Sequence, residues 1–260
     1  MKTLKDIFPL HAEHLPTRTL TESHYEVAFA RSAEELDAIQ QLRFEVFNLE
    51  MGEGLEESFD SHRDTDEFDA VCHHLMVRDT RTGAIVGCYR MQTAAMARVN
   101  RGFYSAGLFD LSSLPEQAME KSIEVGRACV AKSHRSSLVL FLLWKGLALY
   151  VAHNQVRYLF GCCSLTSQDP AEGSAVLRYL QERDRMHSEW SVPPAAGCEC
   201  PIDPEVEPAN GVPTLFRAYL RYGAKACGPP AIDRDFKTLD YLVVLDVDAL
   251  STRTHRMFFG

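Results

Sequence analysis

Four stretches decide the reading of this chain: Leu42-Arg-Phe-Glu-Val-Phe47, Asp64-Thr-Asp-Glu-Phe-Asp69, Gly87-Cys-Tyr-Arg90 and Ile123-Glu-Val-Gly-Arg127. Each sets charged residues inside an otherwise apolar element. A buried charge is costly unless it is paired. Charges of both signs recurring in neighbouring elements therefore point to one organised polar site within an apolar body.

Working outward, Tyr25–Ala30 reads as a short strand. Ser32 caps a helix and Glu35 completes a capping box. Leu36, Ile39, Val46 and Phe47 line one face of that helix, and Arg43 falls in phase with them. An inward arginine late in a helix needs an acidic partner, and the long acidic loop Gly52–Phe68 follows. Val71–Arg78 and Ala84–Gln92 form an antiparallel hairpin around the turn Asp79-Thr-Arg-Thr-Gly83. Ser122–Val130 is a strand, Ala131–Ser137 a polar loop, Ser137–His153 an apolar helix and Tyr158–Leu165 a strand. A helix runs from Asp169-Pro170 to about Met186, another from Pro213 to about Ala226, and Asp240–Val247 closes the chain as a strand. The expected fold class is α/β (α+β), with a mixed, mainly antiparallel sheet flanked by helices. The expected organisation is an N-terminal arm over 1–22, one domain over 23–250 with a Pro/Cys-rich surface loop at 188–213, and a tail over 251–260.

The chain has 260 residues, 46% of them hydrophobic and 24% charged, enough to build a sizeable core. A net charge of -9 argues against bulk affinity for nucleic acid or anionic lipid. Its eight cysteines include no CxxC pair, and five lie in apolar runs. Reduced thiols in a cytoplasmic protein are the expectation. No signal peptide or transmembrane segment is expected: Leu138–Val151, the most apolar run, is broken by Lys145 and reads as a buried helix.

The order Leu-Arg-x-x-Val-Phe, acidic loop, Asp-x-x-Asp, hairpin ending in Arg, then Glu-x-x-Arg resembles the acyl-homoserine-lactone synthases of the GNAT acyltransferase superfamily. Glu124-Val-Gly-Arg-Ala-Cys-Val, Leu142-Leu-Trp-Lys-Gly, Leu159-Phe-Gly-Cys and Leu215-Phe-Arg-Ala-Tyr-Leu-Arg-Tyr-Gly-Ala-Lys resemble a sister group more closely. That group comprises the ornithine-acyltransferase and haemolysin-like proteins, with the long-chain N-acyl amino acid synthases. The resemblance spans roughly residues 25–248. It implies a GNAT-like fold and direct transfer of an acyl group from a thioester, typically on acyl carrier protein, to an amino acid.

An α-ammonium group must lose a proton before it attacks, and Glu124 is the candidate catalytic base. Its competing role is a salt bridge to Arg127 or Arg90. Glu124 and Arg127 would face opposite sides of a regular strand, but Gly126 permits a bulge. Arg43, Phe47, Asp66, Asp69, Arg90 and Arg127 are the candidate substrate-binding set. Scaffold is the first expectation for Arg43 and Asp69, and core packing for Phe47. The loop before the apolar helix is where GNAT enzymes hold coenzyme A pyrophosphate on backbone N–H groups. Here it reads Arg135-Ser-Ser-Leu-Val-Leu, with the arginine but neither glycine of the usual signature. That suits a carrier-protein donor, with Lys132, His134, Arg135, Ser136 and Ser137 as candidate donor contacts. A solvated basic loop is the plainer alternative. Arg217, Arg221 and Lys225 form a stripe at helical spacing that is either solvated or a dock for an acidic protein. His73 and His74 face opposite sides of a strand and make a poor metal pair.

The expectation is therefore an N-acyltransferase moving a long-chain acyl group, with or without a 3-hydroxyl, from acyl carrier protein to the α-amine of an amino acid. Ornithine leads as acceptor, which would begin ornithine-lipid synthesis. Glycine or an aromatic amino acid is the alternative acceptor, and a non-catalytic carrier-protein or lipid binder the alternative class. No cofactor or metal is expected beyond the phosphopantetheine thioester, and any membrane contact would be peripheral, through the product.

Overall fold

The computed structural model describes residues 8–260. They form two compact units. The first takes the described residues through Arg101 with Val125–Val156 and His255–Gly260; the second takes Gly102–Glu124 and Arg157–Thr254.

In the first unit, β1 (Leu20–Glu22), β2 (Tyr25–Phe29), β3 (His73–Asp79) and β4 (Ile85–Thr93) pair antiparallel in chain order. The β3–β4 hairpin turns at Gly83 with φ +76°, a left-handed conformation that glycine adopts without steric cost. The strand next to β4 is β5 (Ser122–Val130), matching its sequence-based bounds. Helix α1 (Ala33–Arg43) is capped by Ser32, whose side chain accepts from the Glu35 N–H, and the Glu35 carboxylate accepts from the Arg31 N–H. It continues as a π-helical segment, Phe44–Glu50. The core of this unit gathers Leu36, Ile39 and Leu42 from α1, Val46, Met76, and Cys88 and Cys129 from neighbouring strands.

Two further elements shape the first unit. Short α2 (Ser58–Ser61) interrupts the acidic loop, and α3 (Ala94–Val99) follows β4. The apolar helix forms as expected and is α5 (Ser137–Asn154), preceded in sequence by α4 (Glu116–Glu120) of the second unit. By length and composition α5 is apolar enough to cross a membrane, but half of it is buried here, with Val139, Leu143, Leu147 and Tyr150 inside. Gly146 lets it close on β3: a Cβ there would lie 2.5 Å from a Leu75 methyl.

In the second unit, the first residues of β5 run parallel to β6 (Tyr158–Leu165), in the register Ser122↔Tyr158 to Glu124↔Phe160. Helix α6 (Pro170–Glu182) begins at an Asp169 cap and stops four residues short of the expected Met186. β9 (Thr238–Asp246) pairs antiparallel with β6, with β7 (Lys225–Ala226) and with β8 (Ala231–Asp233). The core holds Leu108, Phe109, Phe160, Leu242 and Val244.

Three expectations need correction. The helix from Pro213 is α7 (Thr214–Arg221) and ends before Gly223, whose φ of +99° breaks it. Lys225 then lies in β7, so Arg217, Arg221 and Lys225 are not one helical stripe. The 188–213 segment has no regular elements and is mostly exposed, as a surface loop should be, but Val192, Cys200 and Val212 are buried. It is stitched down by the Val192 N–H to the Cys227 carbonyl at 2.6 Å and the Asp110 N–H to the Pro193 carbonyl at 2.9 Å. The 251–260 tail contains a helix, α8 (Thr252–Phe259), whose Phe258 is buried and stacks on Trp144 with centroids 5.5 Å apart. In the N-terminal arm, residues 1–7 lie outside the described residues, and Leu20–Glu22 is strand β1.

Candidate active site

Helix α1 and its π extension, the acidic loop, β4 and β5 bring three arginines onto three aspartates inside the first unit. The Arg43 side chain is fully enclosed. It donates through Nη1 to Asp69 Oδ1 at 2.7 Å and through Nη2 to Asp64 Oδ1 at 3.2 Å. Arg90 Nη1 donates to Asp66 Oδ1 at 2.5 Å and Asp69 Oδ1 at 2.9 Å. Arg127 Nη2 donates to Asp64 Oδ1 at 2.6 Å. The second Asp69 oxygen accepts from Gln40 at 3.0 Å. Burial alone would raise the Asp69 carboxyl; Arg43 and Arg90 overcome it and hold the group far below the usual carboxylate range. Asp66 is lowered as well, burial being outweighed mainly by Arg90. Arg90 also lies over the Phe68 ring and Arg127 over the Phe47 ring, 5.5 and 5.4 Å from the centroids.

Asp64, absent from the expected set, is the shared partner of Arg43 and Arg127, and is fully buried. Phe47 is half-buried against the α1 core and beneath Arg127. The expected set is thus brought together, as an ion-pair network that ties the acidic loop to β4 and β5.

Glu124 is the residue expected to act as the base. It is buried in the second unit, where one carboxylate oxygen accepts from the Ser105 N–H at 2.7 Å and the other from the Tyr104 N–H at 2.9 Å. Tyr104 extends the link through its hydroxyl to Asp233 Oδ2 at 2.7 Å. Within the first unit, the ion pairs of Arg90 and Arg127 run to Asp64, Asp66 and Asp69. Glu124 is the last β5 residue in register with β6. Just beyond it, Arg127 takes φ +50°, so β5 leaves regular strand geometry where Gly126 suggested a bulge.

The loop after β5 lines a groove of about 440 Å³ with Glu45, Val46, Glu50, Ala131, Lys132 and Ser133. Of the expected donor contacts, Lys132 faces this groove. Arg135 is paired with Glu50, which accepts from both guanidinium Nη atoms, at 2.8 Å from Nη2. His134 is turned to β2, its Nδ1 3.0 Å from the Tyr25 hydroxyl. The Ser136 side chain caps α5 by accepting from the Val139 N–H, and Ser137 begins that helix. The loop is therefore partly structural, and Ser133, Glu45 and Glu50 are groove residues that sequence reasoning missed. Among the described residues, no group of three or more His, Cys, Asp or Glu is arranged to hold a metal ion.

Comparison with known proteins places this geometry in context. A family profile described as an acetyltransferase (GNAT) domain matches residues 42–145, the span holding both the ion-pair network and Glu124. Among solved structures, the fold is similar to FeeM, an N-acyl amino acid synthase from uncultured soil microbes (TM-score 0.53, 11% identity, covering 88% of this chain and 95% of that one). It is also similar to TofI (TM-score 0.51, 16% identity, 91% and 97%). At such identities the likeness is one of fold. The L-ornithine N(alpha)-acyltransferase of Rhizobium meliloti (strain 1021) is 34% identical over 251 residues, 89% of this chain and 83% of that protein. The protein of the same name from Brucella abortus (strain 2308) is 33% identical over 243 residues, 88% and 86%. With a GNAT-type fold and relatives aligned along nearly its whole length, the chain belongs to the L-ornithine N(alpha)-acyltransferase family and is an acyltransferase.

Proposed function

We propose that this enzyme transfers a long-chain acyl group from the phosphopantetheine thioester of acyl carrier protein to the α-amine of L-ornithine, in the cytoplasm and without a metal or further cofactor. The observation that carries the acceptor is the 33–34% identity to ornithine acyltransferases along almost the whole chain. The chemistry asks little more of the protein than positioning and one base. Glu124, directly or through a water, takes a proton from the α-ammonium. The freed nitrogen lone pair attacks the thioester carbonyl carbon. The C–N bond forms, the C–S bond breaks, and the thiolate leaves with the second amine proton. Thioester activation supplies the driving force, so no oxidant or reductant enters.

In this reading the Arg/Asp network is scaffold, and Phe47, Asp66, Arg90 and Arg127 shape the acceptor side from within it. Lys132 and Arg135 meet the donor phosphate. Support for a carrier-protein donor is the basic loop without the glycines that would let backbone approach a pyrophosphate.

The test is an acceptor panel with purified enzyme and one acyl carrier protein donor: ornithine, lysine, glycine and phenylalanine. Ornithine should give the highest kcat/KM, and preference for glycine or phenylalanine would overturn the acceptor. In the same assay Glu124→Gln should lower kcat by on the order of 10²–10⁴, with the acceptor KM little changed. That variant also sets an amide against two N–H groups, so its melting point must be read alongside. Near-normal kcat in the folded variant would leave Glu124 as a structural residue, holding Tyr104 and Ser105 among its contacts.

A further inference from the structure

The groove beside the β5–α5 loop carries charges of both signs. Glu45 and Glu50 come from the π-helical segment, and Lys132 from the loop. The guanidinium of Arg135 is engaged on both Nη atoms by Glu50, and its Nε donates to the Val130 carbonyl at 3.1 Å. The Glu50 carboxyl is held below its ordinary 4.5 by that hydrogen bond from Arg135, with Lys132 adding its charge, so Glu50 stays an anion at neutral pH. Counting Arg135, the site holds two cations and two anions. A phosphate that reached Arg135 would compete with a carboxylate already there.

Resting on the proposed donor loop, we infer that Glu50 is a donor-selecting residue: its carboxylate screens Arg135 and disfavours donors in proportion to their phosphate charge. A phosphopantetheine arm presents one phosphate, whereas coenzyme A adds a second phosphate in its pyrophosphate and a third on the ribose. Like charges in one groove repel, and the cost grows with each charge added. Glu50 is the last residue of the π-helical segment, which closes with the Met51 N–H on the Val46 carbonyl at 3.0 Å. Gly52 follows with φ +69° and open space around its Cβ position. π turns recur at functional sites, and a glycine at positive φ gives the segment a place to pivot. A single phosphate thus has a route to displace Glu50 from Arg135 without disturbing the buried network.

The probes are free coenzyme A and 4′-phosphopantetheine, used as competitive inhibitors against the acyl carrier protein donor with the full-length enzyme. Glu50→Gln should lower the inhibition constant of coenzyme A on the order of three- to tenfold and that of 4′-phosphopantetheine less, so that the ratio of the two contracts. Glu50→Ala should do the same and covers the case of a misfolded Gln variant. Arg135→Ala should raise both inhibition constants and the donor KM. If Arg135→Ala weakens both probes but neither Glu50 variant changes their ratio, the selecting role is wrong while the donor loop stands. If Arg135→Ala and Lys132→Ala leave the donor KM and both inhibition constants unchanged, the donor does not use this loop, and the proposed donor site falls together with the inference.

Discussion

Arg43 divides its guanidinium between two buried carboxylates, and that division sets what its loss would do. Arg43→Ala leaves Asp69 with Arg90 and Asp64 with Arg127, so neither acid is bare. The network, however, falls to two cations against three anions in a largely buried place. Breaking a buried pair by removing one partner costs roughly 3–5 kcal/mol, which for a chain of this size is on the order of 10 °C in Tm. Asp64→Asn inverts the imbalance at constant shape and should cost a similar amount. Combining the two substitutions should cost less than their sum, because the combination restores charge balance. Additive losses in thermal melts would show that Arg43 and Asp64 act separately. Much of this network was legible in the sequence, because arginines in phase with apolar residues cannot be left unpaired. Asp64 was missed because its loop has no periodicity from which to read an inward direction. Three inward arginines against two chosen acids were nonetheless a signal that a third acid was owed.

Strands β5 and β6 fall on the bounds read from hydrophobic pattern alone, since continuous apolar runs between turns leave little choice. The short elements escaped that reading. Helix α8, Thr-Arg-Thr-His-Arg-Met-Phe-Phe, is too brief to form by propensity and is held by tertiary burial. Phe258 supplies that hold, against Trp144 at 5.5 Å and Phe141 at 5.9 Å. Phe258→Ala should therefore destabilise by roughly 3 kcal/mol, whereas Phe259→Ala, at a half-buried position stacked on the His255 ring, should cost much less. Urea melts of the two variants decide it, and equal midpoints would mean that α8 contributes nothing to the core. The end of α7 was also legible, in Gly223, but the i, i+4, i+8 charge spacing drew the reading past it.

For the molecule as a whole, pH sets two effects against each other. At neutral pH the chain carries a formal charge of -9, and acidification relieves that self-repulsion. The buried histidines act in the opposite sense. His73 is bonded to Tyr150 and the Leu10 carbonyl, and His74 to the Asp69 carbonyl. Burial pushes both rings from 6.5 down to about 4. Between about pH 6.5 and 4 the unfolded chain binds protons that the folded rings refuse, so the stability they supply is complete above 6.5 and declines as pH falls. Below about 4 the depressed carboxyls of Asp66 and Asp69 add a further loss, because the unfolded chain then takes up protons that these ion-paired groups resist. The surface repulsion is spread over many solvated charges and is screened within about 10 Å at 0.1 M salt, while the histidine effect is local and amounts to a few kcal/mol. Stability should therefore fall, not rise, from pH 7 to 4.5, and fall again below 4. Urea midpoints measured at constant ionic strength test the sign. A midpoint that climbs as pH drops to 4.5 would show that charge relief outweighs the cost of protonating the two buried imidazoles.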